Sequence, residues 1–171
     1  RNDVSVVCTV MSVDPDCSPE IAAMVGTSIA LSISDIPWNG PISGVSVGLI
    51  DGNFIINPTA EQKKVSQMSV TVASTHNRIA MIEAGANEID DETMFNGIMA
   101  GHKANQKIIE FIKNIRDEIG KEKFTYTTTE PDETMLQAVK DFASEELKIA
   151  LNANDKKIRD EQLKPVYQRV H

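Results

Sequence analysis

The order of apolar and polar positions divides the chain into a strand-and-turn first half and an amphipathic helical second half. Val4 to Val13 (VSVVCTVMSV) is mostly apolar and β-branched, the pattern of a strand covered on at least one face, and Asp14-Pro15 ends it. Ser18, Pro19 and Glu20 spell a helix start: a capping side chain, a proline at the first helical position and an acid in the first turn. That helix is expected to run to about Ser34, with Ala22, Val25, Ile29 and Ile33 on one stripe. Gly26, Ser28, Ala30 and Ser32 on its other side are small enough for another backbone to come close, which predicts a packed helix.

Asp35 to Pro41, with two prolines, a glycine and an asparagine, reads as a turn. Gly44–Ile50 and Phe54–Ile56 flank Asp51-Gly52-Asn53, a strong short-range signal for a β-hairpin. Asn57-Pro58-Thr59 then leaves the sheet into a polar loop expected to extend through Lys63 and Lys64. Met68–Ser74 and Ile79–Glu83, separated by a polar turn at Thr75–Arg78, continue an antiparallel meander. From Asp90 a long helix follows, with Met94, Ile98, Ile108, Ile112, Ile115 and Ile119 on one face and Gly120 closing it. Lys121 to Glu130 is polar and threonine-rich, the pattern of a linker. Glu130-Pro131-Asp132-Glu133 opens another helix carrying Leu136, Val139, Phe142, Leu147 and Leu151, and Asn154 is expected to cap a short third one before Pro165. Two such helices cannot bury a core alone, so they dock on the sheet or belong to a larger helical domain. The fold class is α+β, a mixed or antiparallel sheet with packed helices followed by an all-α segment.

Composition narrows the function more than the fold. An apolar fraction of 41% with 25% charged residues suits a soluble globular chain of 171 residues. No apolar run approaches the ~20 residues of a membrane span, so no membrane partner is expected. Only seven charged side chains occur before residue 60, so a buried sheet-and-helix core precedes solvated amphipathic helices. The formal net charge of −8 argues against a self-sufficient basic nucleic-acid module, because phosphate contacts need clustered Lys and Arg. Arg1 in place of a starting Met, with a strand directly behind it, is expected of a piece excised from a longer chain.

Chemistry-bearing motifs are sparse. Two cysteines, Cys8 and Cys17, make no disulfide framework; Cys17 precedes a helix start, but no His or basic residue adjoins it in sequence to activate its thiol. His76, His102 and His171 are scattered, and His102 beside Gly101 fits a hydrogen-bonded, partly buried side chain better than a catalyst. Glu88, Asp90, Asp91 and Glu92 sit at a helix N-terminus, where acids complement the macrodipole without needing a metal. There is no phosphate-binding glycine loop and no nucleophile elbow.

Several runs in register nevertheless carry a resemblance. Thr9–Asp14 (TVMSVD), Ala23–Ser34 (AMVGTSIALSIS), Asp35–Ile42 (DIPWNGPI), Gly48–Asp51 and Phe54–Thr59 (FIINPT) resemble the first catalytic-core repeat of the bacterial polynucleotide phosphorylase family. Met94–His102 with Lys103 and Gln106 is similar to the end of that repeat, and the tail from Phe124 to the start of the helical segment that joins the two repeats. The resemblance implies an RNase PH-like (ribosomal protein S5 domain 2-like) domain over 1–120, a linker over 121–130 and the beginning of an all-helical domain over 131–171. It implies a parent enzyme with two such repeats and KH and OB-type RNA-binding domains. That enzyme would be a cytoplasmic homotrimeric ring that degrades RNA processively 3′ to 5′ with inorganic phosphate and Mg2+, releases nucleoside diphosphates in mRNA turnover, and can join RNA-degradation complexes.

The resemblance also implies that this stretch is catalytically silent. The second repeat of the family holds its metal with two aspartates and a lysine, groups that stabilise charge on the phosphoryl oxygens. Laid on this sequence through Val72-Ala73, those positions fall on Lys63, Ser69 and Thr71. The serine-rich phosphate-binding stretch of that repeat falls on Ser18, Pro19 and Glu20, where an acid competes with an anion for the helix N-terminus. No catalytic or metal-binding residue is therefore expected here, and Lys63 and Lys64 are the candidate RNA-backbone contacts, against the alternative of solvated loop lysines. A reading from another class is a non-enzymatic protein-interaction module that uses the amphipathic 132–151 helix.

Overall fold

A computed structural model describes residues 3–128 and 130–170. They fall into two compact units, Arg1–Thr125 and Tyr126–His171. In the first unit the elements run α1 (Pro19–Ile33), β1 (Ser43–Ile50), β2 (Asn53–Ile56), α2 (Ala60–Val65), β3 (Met68–Ser74), β4 (Ile79–Ala86) and α3 (Asp91–Ile119); the second holds α4 (Glu133–Leu151) and α5 (Lys156–Val170). The four strands form one sheet in the order β2-β1-β3-β4, antiparallel throughout.

The β1–β2 hairpin follows from its turn. Asp51 and Gly52 both take positive φ (48° and 74°), the backbone of a two-residue turn whose twist matches the strands, and Ile50 pairs with Asn53. Side-chain alternation along β1 and β3 then sends Val45, Val47, Leu49, Met68, Val70 and Val72 to one face. The helix α3 lies on that face, with Met94, Ile98, Ala104 and Ile108 packed on the cluster. Gly97, Gly101, Asn105, Ile109 and Ile112 are its buried positions. Gly101 has to be small, because a Cβ there would stand 2.9 Å from methyls of both Val47 and Val72. Asn105 is held by a hydrogen bond from its Nδ2 to the Val72 carbonyl at 2.9 Å.

Several expectations need correction. Val4 to Val13 forms no strand: only the isolated bridge Asp14↔Cys17 is present there, and no strand of the sheet pairs with the run, so its valines stay exposed. The polar loop through Lys63 and Lys64 is instead the helix α2, nucleated by a Thr59/Gln62 capping box. The strand expected at Ile79–Glu83 continues to Ala86, and all of β4 after Ile79 is exposed. On α1 the fully buried positions are Ser28 and Ser32, whereas Gly26 is exposed with nothing near it. Ile119 ends α3 in solvent. Asp155, not Asn154, caps α5 by accepting from Lys157 N (2.8 Å) and Ile158 N (3.1 Å), and the helix continues through Pro165.

Past Gly120, the backbone bonds back to α1: Lys121 N donates to Ile33 O and Phe124 N to Asp35 O, each at 3.0 Å. Lys123 Nζ donates to the carbonyls of Leu31, Ser32 and Ser34, closing the C-terminal end of α1 with a cation where the helix dipole favours one. In the second unit α4 starts at Asp132, whose side chain accepts from Met135 N (2.9 Å). Its helices bury Ala143, Ala150, Leu163 and Val166, while Met135, Phe142, Ile149 and Leu151 remain exposed.

Candidate functional site

Three local structures meet around the start of α1. The Asp14–Cys17 turn is closed by Cys17 N to Asp14 O (3.0 Å) and Asp16 N to Asp14 Oδ1 (2.9 Å). Asp16 Oδ1 also accepts from Ala60 N at 3.0 Å, which ties this turn to the first residue of α2. Thr59 Oγ1 accepts from Gln62 N (3.3 Å) and Gln62 Oε1 from Thr59 N (2.9 Å). The first amides of α2, the groups an anion would use, are thus partly taken up by the chain's own oxygens. Asn57, at φ 51°, directs the chain from β2 toward this corner by exchanging hydrogen bonds with the Ser46 backbone.

At the head of α1 the situation is similar. Ser18 Oγ donates to the Glu20 carboxylate instead of capping the helix, and Glu20 stands in the first turn. The Ser18 hydroxyl holds the Glu20 carboxyl below its usual value, helped by the residue's own backbone amide and by the Lys63 ammonium. A fixed negative charge therefore occupies the end of the helix dipole at which an incoming phosphate would be stabilised.

The structure puts Lys63 near Glu20 and places Lys64 on the same short helix, both exposed. Lys64 Nζ is 2.6 Å from Glu61 Oε1, so its charge is shared with a neighbour. Ser69 and Thr71 lie on the face of β3 opposite the core valines, Ser69 exposed and Thr71 half-buried. In register they stand beside Gly48 and Gly85, and beside Ser46 and Glu83. With a lysine, a serine and a threonine at these three positions, the donor set does not fit a divalent cation. No group of three or more His, Cys, Asp or Glu among the described residues could hold a metal ion.

The remaining candidates are dispersed. Cys8 and Cys17 are free and exposed. His76 is exposed in the β3–β4 turn, and His171 lies outside the described residues. His102 is half-buried, with Nδ1 3.3 Å from Gln106 Nε2. Of the acidic run, Asp90 is the N-cap of α3, accepting from the Thr93 amide (2.8 Å) and hydroxyl (2.6 Å). Asp16 escaped sequence reasoning because its partner Ala60 is 44 residues away; the α2 cap was legible as Thr59-x-x-Gln62.

Residues 40–104 match the model of the 3′ exoribonuclease family, domain 2. Nearly the whole chain aligns with polyribonucleotide nucleotidyltransferases. Identity is 54% over 160 residues (94% of this chain, 23% of the relative) for that of Ruminiclostridium cellulolyticum. It is 46% over 171 residues (99% and 24%) for that of Lachnoclostridium phytofermentans, and 49% over 163 residues (95% and 23%) for that of Clostridioides difficile. The chain spans about a quarter of the length of these relatives and is homologous to that stretch of them. The crystal structure of rice (Oryza sativa) Rrp46 shares the fold, with a TM-score of 0.54 and 17% identity over 61% of this chain and 51% of that one. The α+β fold is therefore RNase PH-like.

Proposed function

We infer that this chain is one stretch of a polyribonucleotide nucleotidyltransferase that shortens RNA from its 3′ end by phosphorolysis, releasing nucleoside diphosphates in mRNA turnover. The identity of 46–54% across 94–99% of the chain with three enzymes of that name carries the reading. Within that enzyme this stretch is catalytically silent and architectural, helping to build a cytoplasmic homotrimeric ring and its RNA path. The electrostatics at the head of α1 support silence: Glu20 sits where phosphate would need a positive potential, and Lys63, Ser69 and Thr71 offer no carboxylate for Mg2+. The metal and inorganic phosphate would act in the other repeat, and Lys63 and Lys64 would touch the RNA backbone from α2. The domain assignment that accompanies this reading is an RNase PH-like domain over 1–120, a linker over 121–130 and the start of a helical domain over 131–171.

Incubating the purified chain with poly(A), inorganic phosphate and Mg2+ tests silence directly. No nucleoside diphosphate should appear, and metal-dependent release would overturn the reading. In the longer enzyme, the same assay should give diphosphates from the 3′ end.

The exposed Met135, Phe142, Ile149 and Leu151 favour a second reading, in which α4 binds a protein partner. Limited proteolysis separates the two: cutting within 121–130 marks a free tail, and resistance there marks one docked on its own chain.

A further inference from the structure

The sheet ends in β4, and among the described residues no strand pairs with its outer edge. Asn87 N donates to Gln67 O at 2.9 Å, and these two residues continue the register in which Met68 faces Ala86 and Ser69 faces Gly85. Opposed residues of an antiparallel pair exchange hydrogen bonds at every second position. Met81, Glu83 and Gly85 therefore bond to β3, while Ile82, Ala84 and Ala86 turn their amides and carbonyls outward. The irregularity at Ala73/Ser74 falls at the turn and leaves this stretch regular. Long edges are usually guarded by Lys, Pro or a covering segment. β4 (IAMIEAGA) has eight residues, one charge, at Glu83, and neither lysine nor proline; the opposite edge, β2, has four residues.

An uncovered apolar step lies beside that edge. Ile82, Ala84 and Ala86 stand opposite Val72, Val70 and Met68, so their side chains point to the face that carries α3, yet all three are exposed. On α3, Gln106 Nε2 donates to the carbonyl of Thr75 in the β3–β4 turn, so the stripe Phe95, Met99, His102 and Gln106 flanks β4. Phe95 and Met99 on that stripe are 61% and 41% exposed. A partner that fits must bring a strand edge and an apolar flank on the same side of it, and a second copy of this chain brings both.

We propose that two copies of this chain pair β4 with β4, antiparallel about a two-fold axis, joining their sheets and setting Phe95 and Met99 of one copy against the same stripe of the other. Eight residues of strand are about 26 Å long, and a sheet layer plus a helix layer is about 20 Å deep, so each copy covers roughly 500 Å². The total of about 1,000 Å² meets the lower bound for a specific interface. Glu83 selects the register: centring the pair on it would oppose like charges, whereas centring on Ile82 sets Glu83 beside Met81 of the other copy. Pairing β4 with β2 instead would leave a free edge at each end and propagate into fibres. The seam rests on the free edge and its flank, not on the threefold ring inferred above, so either can fail without the other.

Light scattering after size exclusion should give the 171-residue chain a mass of twice 18.8 kDa at tens of micromolar. The Ala84 amide points away from β3, so Ala84→Pro leaves the β3–β4 ladder whole and removes one donor per copy from the seam. It should weaken dimerisation about tenfold or more while circular dichroism stays unchanged. Ile82→Lys, at a side chain 48% exposed, should do the same by opposing two ammonium groups, and it carries the test if Ala84→Pro loses sheet content. Val7→Lys, at an exposed valine outside the sheet, should leave the dimer intact. A monomer at tens of micromolar overturns the proposal, as does a mass that climbs past the dimer with concentration. So does an Ile82→Lys variant that dimerises like the parent, or a Val7→Lys variant that does not dimerise.

Discussion

The same substitution, glycine to alanine inside a helix, is expected to have opposite signs at two positions. Alanine is favoured over glycine by about 0.5–1 kcal/mol in a helix interior, because glycine loses more backbone entropy on folding. At Gly26 in α1 a Cβ would meet nothing within 4 Å, so Gly26→Ala keeps that whole gain. At Gly101 in α3 the new methyl would sit 2.9 Å from Val47 Cγ2 and Val72 Cγ2 and 3.1 Å from Val72 Cβ. Comfortable carbon contacts are ~3.5–4.0 Å, and both valines are fully buried and stiff at χ1, so neither can turn aside cheaply. Overpacking of this kind costs about 1–3 kcal/mol, which exceeds the helical gain and leaves Gly101→Ala roughly 1 kcal/mol less stable than the parent. The two variants should therefore differ by about 2 kcal/mol, which a slope of ~1–3 kcal/mol/M turns into urea midpoints roughly 1 M apart. Trp38 lies in the same unit as both glycines, so its fluorescence follows the relevant transition. A Gly101→Ala midpoint at or above the parent's, or a Gly26→Ala midpoint below it, would refute the packing argument.

Two further outcomes are expected. The Thr93 hydroxyl, and after it the Thr93 amide, hold the Asp90 carboxyl below its usual value, so Asp90 stabilises the fold above about pH 4 and loses that contribution as pH falls through its lower folded value. The gap in urea midpoint between the parent and Asp90→Asn should narrow from pH 6 to pH 3, and a pH-independent gap contradicts it. Lys123→Met keeps most of the aliphatic stem but removes the cation from three carbonyls, which should cost about 2 kcal/mol and lower the melting temperature followed at Trp38 by roughly 5–8 °C; an unchanged melting temperature would mean that water replaces the ammonium at no cost.

Local signals in the sequence were reliable where the partners lay within one turn or one strand. Asp51-Gly52 set the hairpin, Asp90 and Asp132 marked two helix starts, and Met68–Ser74 alternated as a half-covered strand does. The short helix α2 was also written locally, in Thr59 and Gln62, but its polar composition resembles a loop. Pro165 reads as a stop, because a proline inside a helix removes one amide hydrogen bond and crowds the carbonyl four residues back, yet α5 runs through it with Leu163 and Val166 buried on either side. The candidate site was legible mainly as a mismatch: an acid where the resemblance implies phosphate binding, and Lys63, Ser69 and Thr71 where it implies two aspartates and a lysine. That Asp16 closes the same corner was not legible, since nothing near residue 16 shows that Ala60 will be there.

The sequence by itself thus determined the β1–β2 hairpin and the helix starts at Asp90 and Asp132, because each depends on side chains a few positions apart. Only the tertiary structure decided which side of α1 is buried. Its larger residues Val25, Ile29 and Ile33 formed the more hydrophobic stripe, but Ser28 and Ser32 are the ones enclosed. It also decided that Val4–Val13 stays out of the sheet, since a strand exists only where another backbone supplies its hydrogen bonds. The closure of α1 by Lys123 is likewise a tertiary product: Lys123 reaches Leu31 across 92 positions of sequence, a separation over which composition and periodicity carry no information.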